Sequence, residues 1–531
     1  MRTSAYQDVQ GPHSSSSAKT GQKEIPTSTM PRLDRDDAYY TLRTLTIAAI
    51  GATYAEDRLK PLGGYLMELA RRIGSYLQLG DPRSIFSIPF IQSRLLIAVG
   101  GFADGSRERY LMSEISKGLL ITAARRLHLL RERPARQRVS RHRTAESHLA
   151  KERSLDRQPT SKEIKKMWRE WLEEEERIRL GWAIYIFDAQ AAAFLNVPAA
   201  FNLNEIQIRL PDAEELWNIS NATMWEESYR SRKGTIEQSP RSSHFGTILS
   251  TMLREGRLQE RVSDFGRWIL AHGLYRMCDD ANMQNKLLGY IEPTFPPLAE
   301  SFTRPNQKNP FQLIGSLVTS WQSEVSFARP STFFASSNVL RHYLSIRFIH
   351  PTFMDHVKWA AGRLSAAESR EESQRWLTET PPDSVLRRIF VESIHLAVFL
   401  LHSRLDAPWE PVILLDCALA LWAILRFRPE MLQLCATSPG ATVLRCESIC
   451  PSDAPDRAYR QTVPAGFRST DYLEKWISNG GPLRIQGMSY SMTPDNVLSD
   501  FITRLQSSPW GLSNLYAAVL NNLQSKDEVK P

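Results

Sequence analysis

One segment constrains the fold more than any other: KEIKKMWREWLEEEERIRLGWAIYIFDAQAAAFLN, residues 162–196. On a helical wheel Trp182, Tyr185 and Ile186 share a face with Ile178, while Leu180, Ile184, Phe187 and Ala191 share another. A helix apolar on most sides has to be buried among other helices. Its charges gather in what read as the first turns, where acids suit the macrodipole. Glu173–Arg177 and Glu175–Arg179 are i,i+4 pairs, each contributing about 0.2–0.5 kcal/mol when exposed. Asp188 falls among the apolar residues. An unpaired carboxylate there would be costly, so a cationic or backbone-donor partner is expected. A catalytic aspartate comes with a second titratable group or a metal ligand set, and neither lies close in sequence. Asp188 therefore reads as the polar pin of a structural helix.

Pro198 disfavours helix in the residue before it, which predicts a helix end at 196–198. Asp212 is placed to cap a helix starting near Ala213.

Apolar residues recur at three and four along most of the remaining chain, as in 36–57, 60–77, 88–106 and 109–130, and strand-like alternation is scarce. The predicted fold class is all-α, a large multi-helix array with a disordered N-terminal tail. Residues 1–31, rich in Ser, Thr, Gln, Gly and Pro, form the tail. Helical patterns fill 32–292, interrupted by a polar, basic connector at 125–163. The stretch 293–310 carries five prolines and reads as a break, and 311–531 is again helical.

The apolar run 412–425 is too short to cross a membrane and contains Asp416. The start has no apolar core of a signal peptide, so a soluble intracellular protein is expected. Five cysteines, at 278, 417, 435, 446 and 450, do not suggest a disulfide framework. Cys446 and Cys450 are the closest pair, and no histidine follows to complete a finger.

Net charge is +8, and residues 125–143 hold eight arginines and one glutamate, so this one island carries nearly all of it. Arg131, Arg133, Arg136, Arg138, Arg141 and Arg143 are candidates for a nuclear-import signal. A solvated inter-helix loop is the plainer reading of the same residues. No aromatic interrupts the island, which argues against a base-stacking platform for single strands.

Other chemistry is thinly supported. Glu392 and His395 form one E-x2-H, whereas a carboxylate di-metal bundle needs two, plus two further glutamates. Asp279–Asp280 is the acid pair that a magnesium-dependent helical enzyme of isoprenoid type would need, but no spaced third acid follows. Gly100–Gly101 and Gly480–Gly481 lack a phosphate-loop context and read as turns. His350 and His356 match no metal signature.

The order of several motifs resembles the fungal-specific transcription factor regulatory domain, or middle homology region. The residues are Trp168, Trp171, Glu176, Arg179, Trp182, Asp188, Pro198, Leu210, Pro211, Leu216 and Trp217. Segments 93–130, 253–275, 394–425 and 509–523 also fit. The flavour is that of the subgroup carrying two-cysteine two-histidine zinc fingers. Two departures stand out. Gly181 sits where the family often has an aromatic, and Asp212 where a cysteine is common. A finger needs paired cysteines ahead of paired histidines, whereas the first cysteine is Cys278, and five cysteines cannot build a six-cysteine cluster.

The resemblance implies a nuclear regulator of transcription, possible controller of a secondary-metabolite gene set. It is expected to act through other regulators or co-regulators, as a homo- or hetero-dimer, touching DNA only indirectly or through the basic connector. No membrane contact is expected. Catalytic, metal and cofactor residues are not expected, and zinc enters only with a finger ahead of these residues. The alternatives are a helical metal-dependent enzyme or an inert relic of a regulator.

Overall fold

The computed structural model describes residues 35–55, 59–132, 160–195, 197–235, 244–255, 262–291, 331–350, 352–362, 367–402, 405–435, 441–445, 469–486 and 492–528. The expectations for the tail 1–31, for most of the basic connector, for the proline-rich break and for Cys446 and Cys450 lie outside them.

Seventeen α-helices make up nearly all of the described chain. The first four are α1 (Arg35–Thr53), α2 (Lys60–Gly80), α3 (Ile88–Ala103) and α4 (Arg107–Arg126). Then comes α5 (Ser161–Leu195), 35 residues long. Next are α6 (Glu214–Trp217), α7 (Ala222–Thr235), α8 (Phe245–Glu255) and α9 (Asp264–Ile291). The later part holds α10 (Thr332–Phe348), α11 (Phe353–Ala360), α12 (Ala367–Glu379), α13 (Asp383–His402) and α14 (Glu410–Phe427). It ends with α15 (Ser469–Asn479), α16 (Pro494–Gln506) and α17 (Gly511–Glu528).

Several starts follow from capping side chains. The Ser331 hydroxyl accepts from Phe334 N at 3.2 Å, and Thr493 accepts from Asn496 N at 3.3 Å. Thr160 and Glu163 close the start of α5 reciprocally, with Thr160 N donating to the Glu163 carboxylate at 2.7 Å.

The strongest apolar run becomes the central helix. Every residue of α14 from Glu410 to Leu425 is buried, and α10, α11, α12, α13, α16 and α17 pack around it. Its two acids are matched. Asp416 takes Lys358 Nζ at 2.9 Å and the Tyr343 hydroxyl at 2.9 Å. Glu410 takes the Arg504 guanidinium. No helix among the described residues is long and apolar enough to cross a membrane.

One contiguous core runs from Tyr39 on α1 to Leu523 on α17, and α9 packs on α10 across the proline-rich stretch. The residue after α1 and the residue before α17 meet at the loop ahead of α14. Tyr54 OH and Trp510 Nε1 both donate to the Asp406 carbonyl, at 3.0 and 2.7 Å, with the two rings edge-on at 5.6 Å.

The helical reading missed one small element. β1 (Thr442–Arg445) and β2 (Leu483–Gln486) pair in parallel, Thr442 opposite Leu483 and Arg445 opposite Gln486. Four-residue strands offer too little alternation to be seen against helical neighbours. Gly480 and Gly481 turn the chain from α15 into β2 with φ of 78° and 118°, a backbone that side chains resist.

Buried polar groups hold the layers in register. His272 on α9 is 2% exposed, donates Nδ1–H to the Trp268 carbonyl at 2.9 Å, and faces Gln190 of α5 at 3.4 Å. Burial pushes its pKa down from 6.5 to about 4, only partly opposed by that carbonyl. The unfolded chain therefore binds the proton first as pH falls. The stabilisation is present above about pH 6.5 and is lost toward about pH 4. Denaturant titrations over this window should show His272→Gln losing less stability than wild type, by on the order of 3 kcal/mol. Parallel pH profiles would refute the neutral buried assignment.

Candidate functional site

The tryptophan-flanked segment lies wholly within α5, and its charges form a clamp. Because α5 begins at Ser161, the acids at 173–176 sit in its middle, not its first turns. The macrodipole argument made for them fails, since that effect is confined to the terminal turn. Tertiary partners hold them instead.

Glu175 is fully buried, with Arg179 Nε on Oε1 at 3.0 Å and Arg209 Nη2 on Oε2 at 2.8 Å. Asp212 N also donates to Oε1 at 2.9 Å. Burial raises the Glu175 carboxyl above its ordinary pKa, while Arg209 and Arg179 oppose the rise. The Glu175–Arg179 i,i+4 pair forms as read, within a buried network and not on an exposed face. Arg177 grips Glu174, three residues back, at 2.6 Å and donates to the His128 carbonyl at 2.9 Å. Glu176 reaches away from this network, to Gln92 at 2.8 Å and Arg43 at 3.3 Å.

Asp212 does not cap a helix. The N-cap of α6 is Ala213, which makes no side-chain cap bond, and α6 is four residues long. The Asp212 carboxylate accepts from Trp171 Nε1 at 2.8 Å and pairs with Arg209 at 3.2 Å. The Trp171 indole N–H and the Arg209 guanidinium occupy the carboxylate in place of the local cap.

The aromatics complete the clamp. Trp171 lies 5.4 Å from Trp225 and 6.5 Å from Trp217, and Arg179 stacks over Trp217 at 4.6 Å. Trp182 has no exposed surface, packs on Phe245 at 5.1 Å, and donates Nε1–H to the Arg209 carbonyl at 3.0 Å. The Trp168 indole N–H is buried with no hydrogen-bond partner among the described residues.

Asp188 is 1% exposed, and both its oxygens are occupied. Lys117 of α4 reaches Oδ1 at 3.0 Å, Ala200 N contacts both oxygens at 2.9–3.0 Å, and Phe201 N donates to Oδ2 at 2.9 Å. The carboxylate ties the turn after Pro198 to α4 and α5. Pro198 itself is exposed and Pro211 is buried. Lys117 and Arg209 were not singled out from sequence. A lone lysine in ISKGLLITAA and an arginine before a Leu-Pro pair were their only signals.

Gly181 has a physical reason. A Cβ there would stand 2.7 Å from the Leu129 carbonyl oxygen, so a larger side chain has no room. Here the backbone of 128–130 lies directly on α5.

Of the import candidates, only Arg131 is described. It is exposed and bridges Gln207, with Glu132 N donating to the Gln207 carbonyl at 2.9 Å and Gln207 N to Leu130 O at 2.8 Å. Arg133, Arg136, Arg138, Arg141 and Arg143 lie outside the described residues.

The other sequence candidates separate. Arg276 holds Asp280 at 2.6 Å and Asp279 at 3.3 Å, so this acid pair has its counter-charge within one helix. Glu392 accepts from His342 Nδ1 at 2.7 Å, and His342 stacks on His395 at 5.5 Å. Burial lowers the His342 pKa to about 4, so the ring is neutral at pH 7. His350 and His356 pack against Trp376 at 5.1 and 4.0 Å. Among the described residues, no three of His, Cys, Asp and Glu converge as metal ligands do.

A large all-α body in which one long acidic-to-apolar helix clamps the segment behind it is the class of protein this geometry defines. Residues 40–255 match the model of the fungal specific transcription factor domain. A protein named as a transcription factor from Gibberella fujikuroi is 20% identical over 414 residues, which is 77% of this chain and 47% of that relative. Another from Zymoseptoria tritici is 27% identical over 66 residues, 12% of this chain and 7% of that protein. The chain thus spans about half the length of the first relative. No solved structure matches it.

Trp182→Ala should destabilise the fold by about 3–5 kcal/mol, because a large cavity opens under Phe245. An unchanged denaturation midpoint would contradict the burial. Gly181→Ala should cost about 1–3 kcal/mol, since the methyl meets fixed backbone. Wild-type stability in that variant would show that 128–130 lies further from α5.

Proposed function

We propose that this chain is a nuclear regulator of transcription of the fungal type, working through contacts with other regulators or co-regulators. The observation that carries the reading is the match of 40–255 to the fungal specific transcription factor domain, with transcription-factor relatives beside it. Control of a secondary-metabolite gene set is the finer form of the same proposal. It rests on what regulators of this kind commonly serve.

Two features support the protein-contact mode. The described body directs its buried charges inward, onto its own backbone and counter-ions. The basic island is the one concentrated source of positive charge in the sequence. We assign it to nuclear import. Any direct contact with DNA through it would be electrostatic and sequence-independent.

In the native host, a fluorescently tagged chain should concentrate in nuclei, and its deletion should change a defined transcript set. The variant Arg136→Ala, Arg138→Ala, Arg141→Ala, Arg143→Ala should lose most nuclear accumulation while keeping its abundance. Undiminished nuclear signal in that variant would remove the import assignment. An unaltered transcriptome after deletion would remove the regulatory one.

A further inference from the structure

The α2, α3 and α4 helices enclose a cavity of about 330 Å³. That is the low end of the roughly 300–1,000 Å³ found for small-molecule sites. Its apolar wall is Met67, Leu79, Ile97, Met112, Ile115 and Leu119. Leu79 and Ile115 are 85% and 67% exposed, which is unusual for such side chains and places them at the mouth.

Arg94 also lines this cavity and is only 7% exposed. Its one hydrogen bond among the described residues runs from Nη2 to the Ser116 hydroxyl oxygen, at 3.1 Å. Its Nε and Nη1 are sealed inside without an acceptor. The two other arginines on the cavity are already matched, Arg71 by Glu68 at 2.7 Å and Arg109 by Asp104 at 2.5 Å.

Elsewhere the protein treats buried arginines differently. Arg177 holds Glu174, Arg276 holds Asp279 and Asp280, and Arg504 holds Glu410. Arg387 donates to the carbonyls of Ile477 and Ser478. A guanidinium stays protonated, and an uncompensated buried charge is expensive. Burial and the like charge of Arg71 both act against the Arg94 cation. Arg94 and its partner Ser116 both line the cavity.

We propose that this cavity binds a small amphipathic monocarboxylate, with its head at Arg94 and Ser116 and its apolar body along Met67, Ile97, Met112 and Leu119. The single unmatched positive charge selects a monoanion. The wall selects a hydrocarbon or aromatic body, and the exposed Leu79 and Ile115 become covered when it is bound. The site stands on this geometry whether or not the chain regulates transcription.

The purified full chain is titrated with octanoate and with 1-naphthylacetate, by calorimetry and thermal shift, with 1-octanol as the neutral control. At least one acid should raise the melting temperature saturably. Octanol should bind at least about tenfold more weakly, the loss expected of a charge-assisted hydrogen bond. Arg94→Met, checked for native circular dichroism, should lose at least about tenfold in affinity for the acid. Ile115→Glu, on an exposed residue that leaves packing intact, should weaken the acid by like-charge repulsion and spare octanol. Silence from both acids, equal binding of octanol, or undiminished affinity in Arg94→Met overturns the proposal. If Arg94→Met does not fold, an undiminished acid affinity in Ile115→Glu overturns it instead.

Discussion

The structure depends on two buried carboxylates of α5, Glu175 and Asp188, and on what they hold. Each has been taken almost entirely out of water. A carboxylate so placed is tolerable only when fully matched. Glu175 is matched by Arg179, Arg209 and the Asp212 amide. Asp188 is matched by Lys117 and by the amides of residues 200 and 201. The partners are therefore not optional decorations. Apart from Lys117 and Arg179 they belong to the segment 200–212, which has little regular structure of its own and is fixed by these bonds together with its buried Phe201, Ile206, Ile208 and Leu210. One helix thus dictates the course of the dozen residues that leave it and return along it. The aromatic layer of Trp171, Trp182, Trp217 and Trp225 forms on the frame that results.

How much of this could be read beforehand divides along physical lines. Periodicity showed the helices because it is local, and the all-round apolar character of 178–191 and 412–425 translated directly into burial. The need of Asp188 for a partner was legible, because desolvation is a property of the residue. The partner's identity was not, because Lys117 and the amides of 200–201 are brought near only by folding. The same gap misled the reading of Asp212. In sequence it precedes a helix and reads as a cap. In space Trp171 Nε1 and Arg209 reach it first. The acids at 173–176 were misplaced for a third reason. The helix extends twelve residues ahead of Glu173, through KEIKKMWREW, and the amphipathic pattern there is too polar to mark its start. At Gly181 the missing side chain was visible as a departure. The reason for it, the Leu129 carbonyl against the helix, was not.

The basic connector leaves and rejoins this frame at two anchored points. On the exit side, 130–132 exchanges backbone hydrogen bonds with Gln207, and Glu132 pairs with His244 at 2.8 Å. On the return side, Thr160 and Glu163 cap α5. An insertion held at both ends by hydrogen-bonded backbone can vary in length and charge without disturbing the core, since loop closure costs only slowly more as a loop lengthens. The helical body thus carries the anchors on either side of the connector.

The same accounting distinguishes a structural buried charge from one kept for something else. Across the described body, arginines such as Arg177, Arg276, Arg387 and Arg504 come with an acid or a carbonyl on a neighbouring turn or helix. Each is explained by the fold. Arg94 is not, although its sequence setting, a single cation between Arg83 and Asp104 in an apolar run, resembles that of Asp416 in α14. Asp416 acquired Lys358 and Tyr343 when the helices packed. Arg94 acquired a serine and a cavity. Two residues under the same desolvation pressure thus end with opposite outcomes. The difference lies in the neighbours that α2 and α4 present, which are hydroxyls, methionines and an arginine where α10 and α11 supply a matching charge. Arg94 keeps its Nε and Nη1 without an acceptor and lines the cavity, so the proposed carboxylate would supply from outside what Lys358 supplies to Asp416 from within.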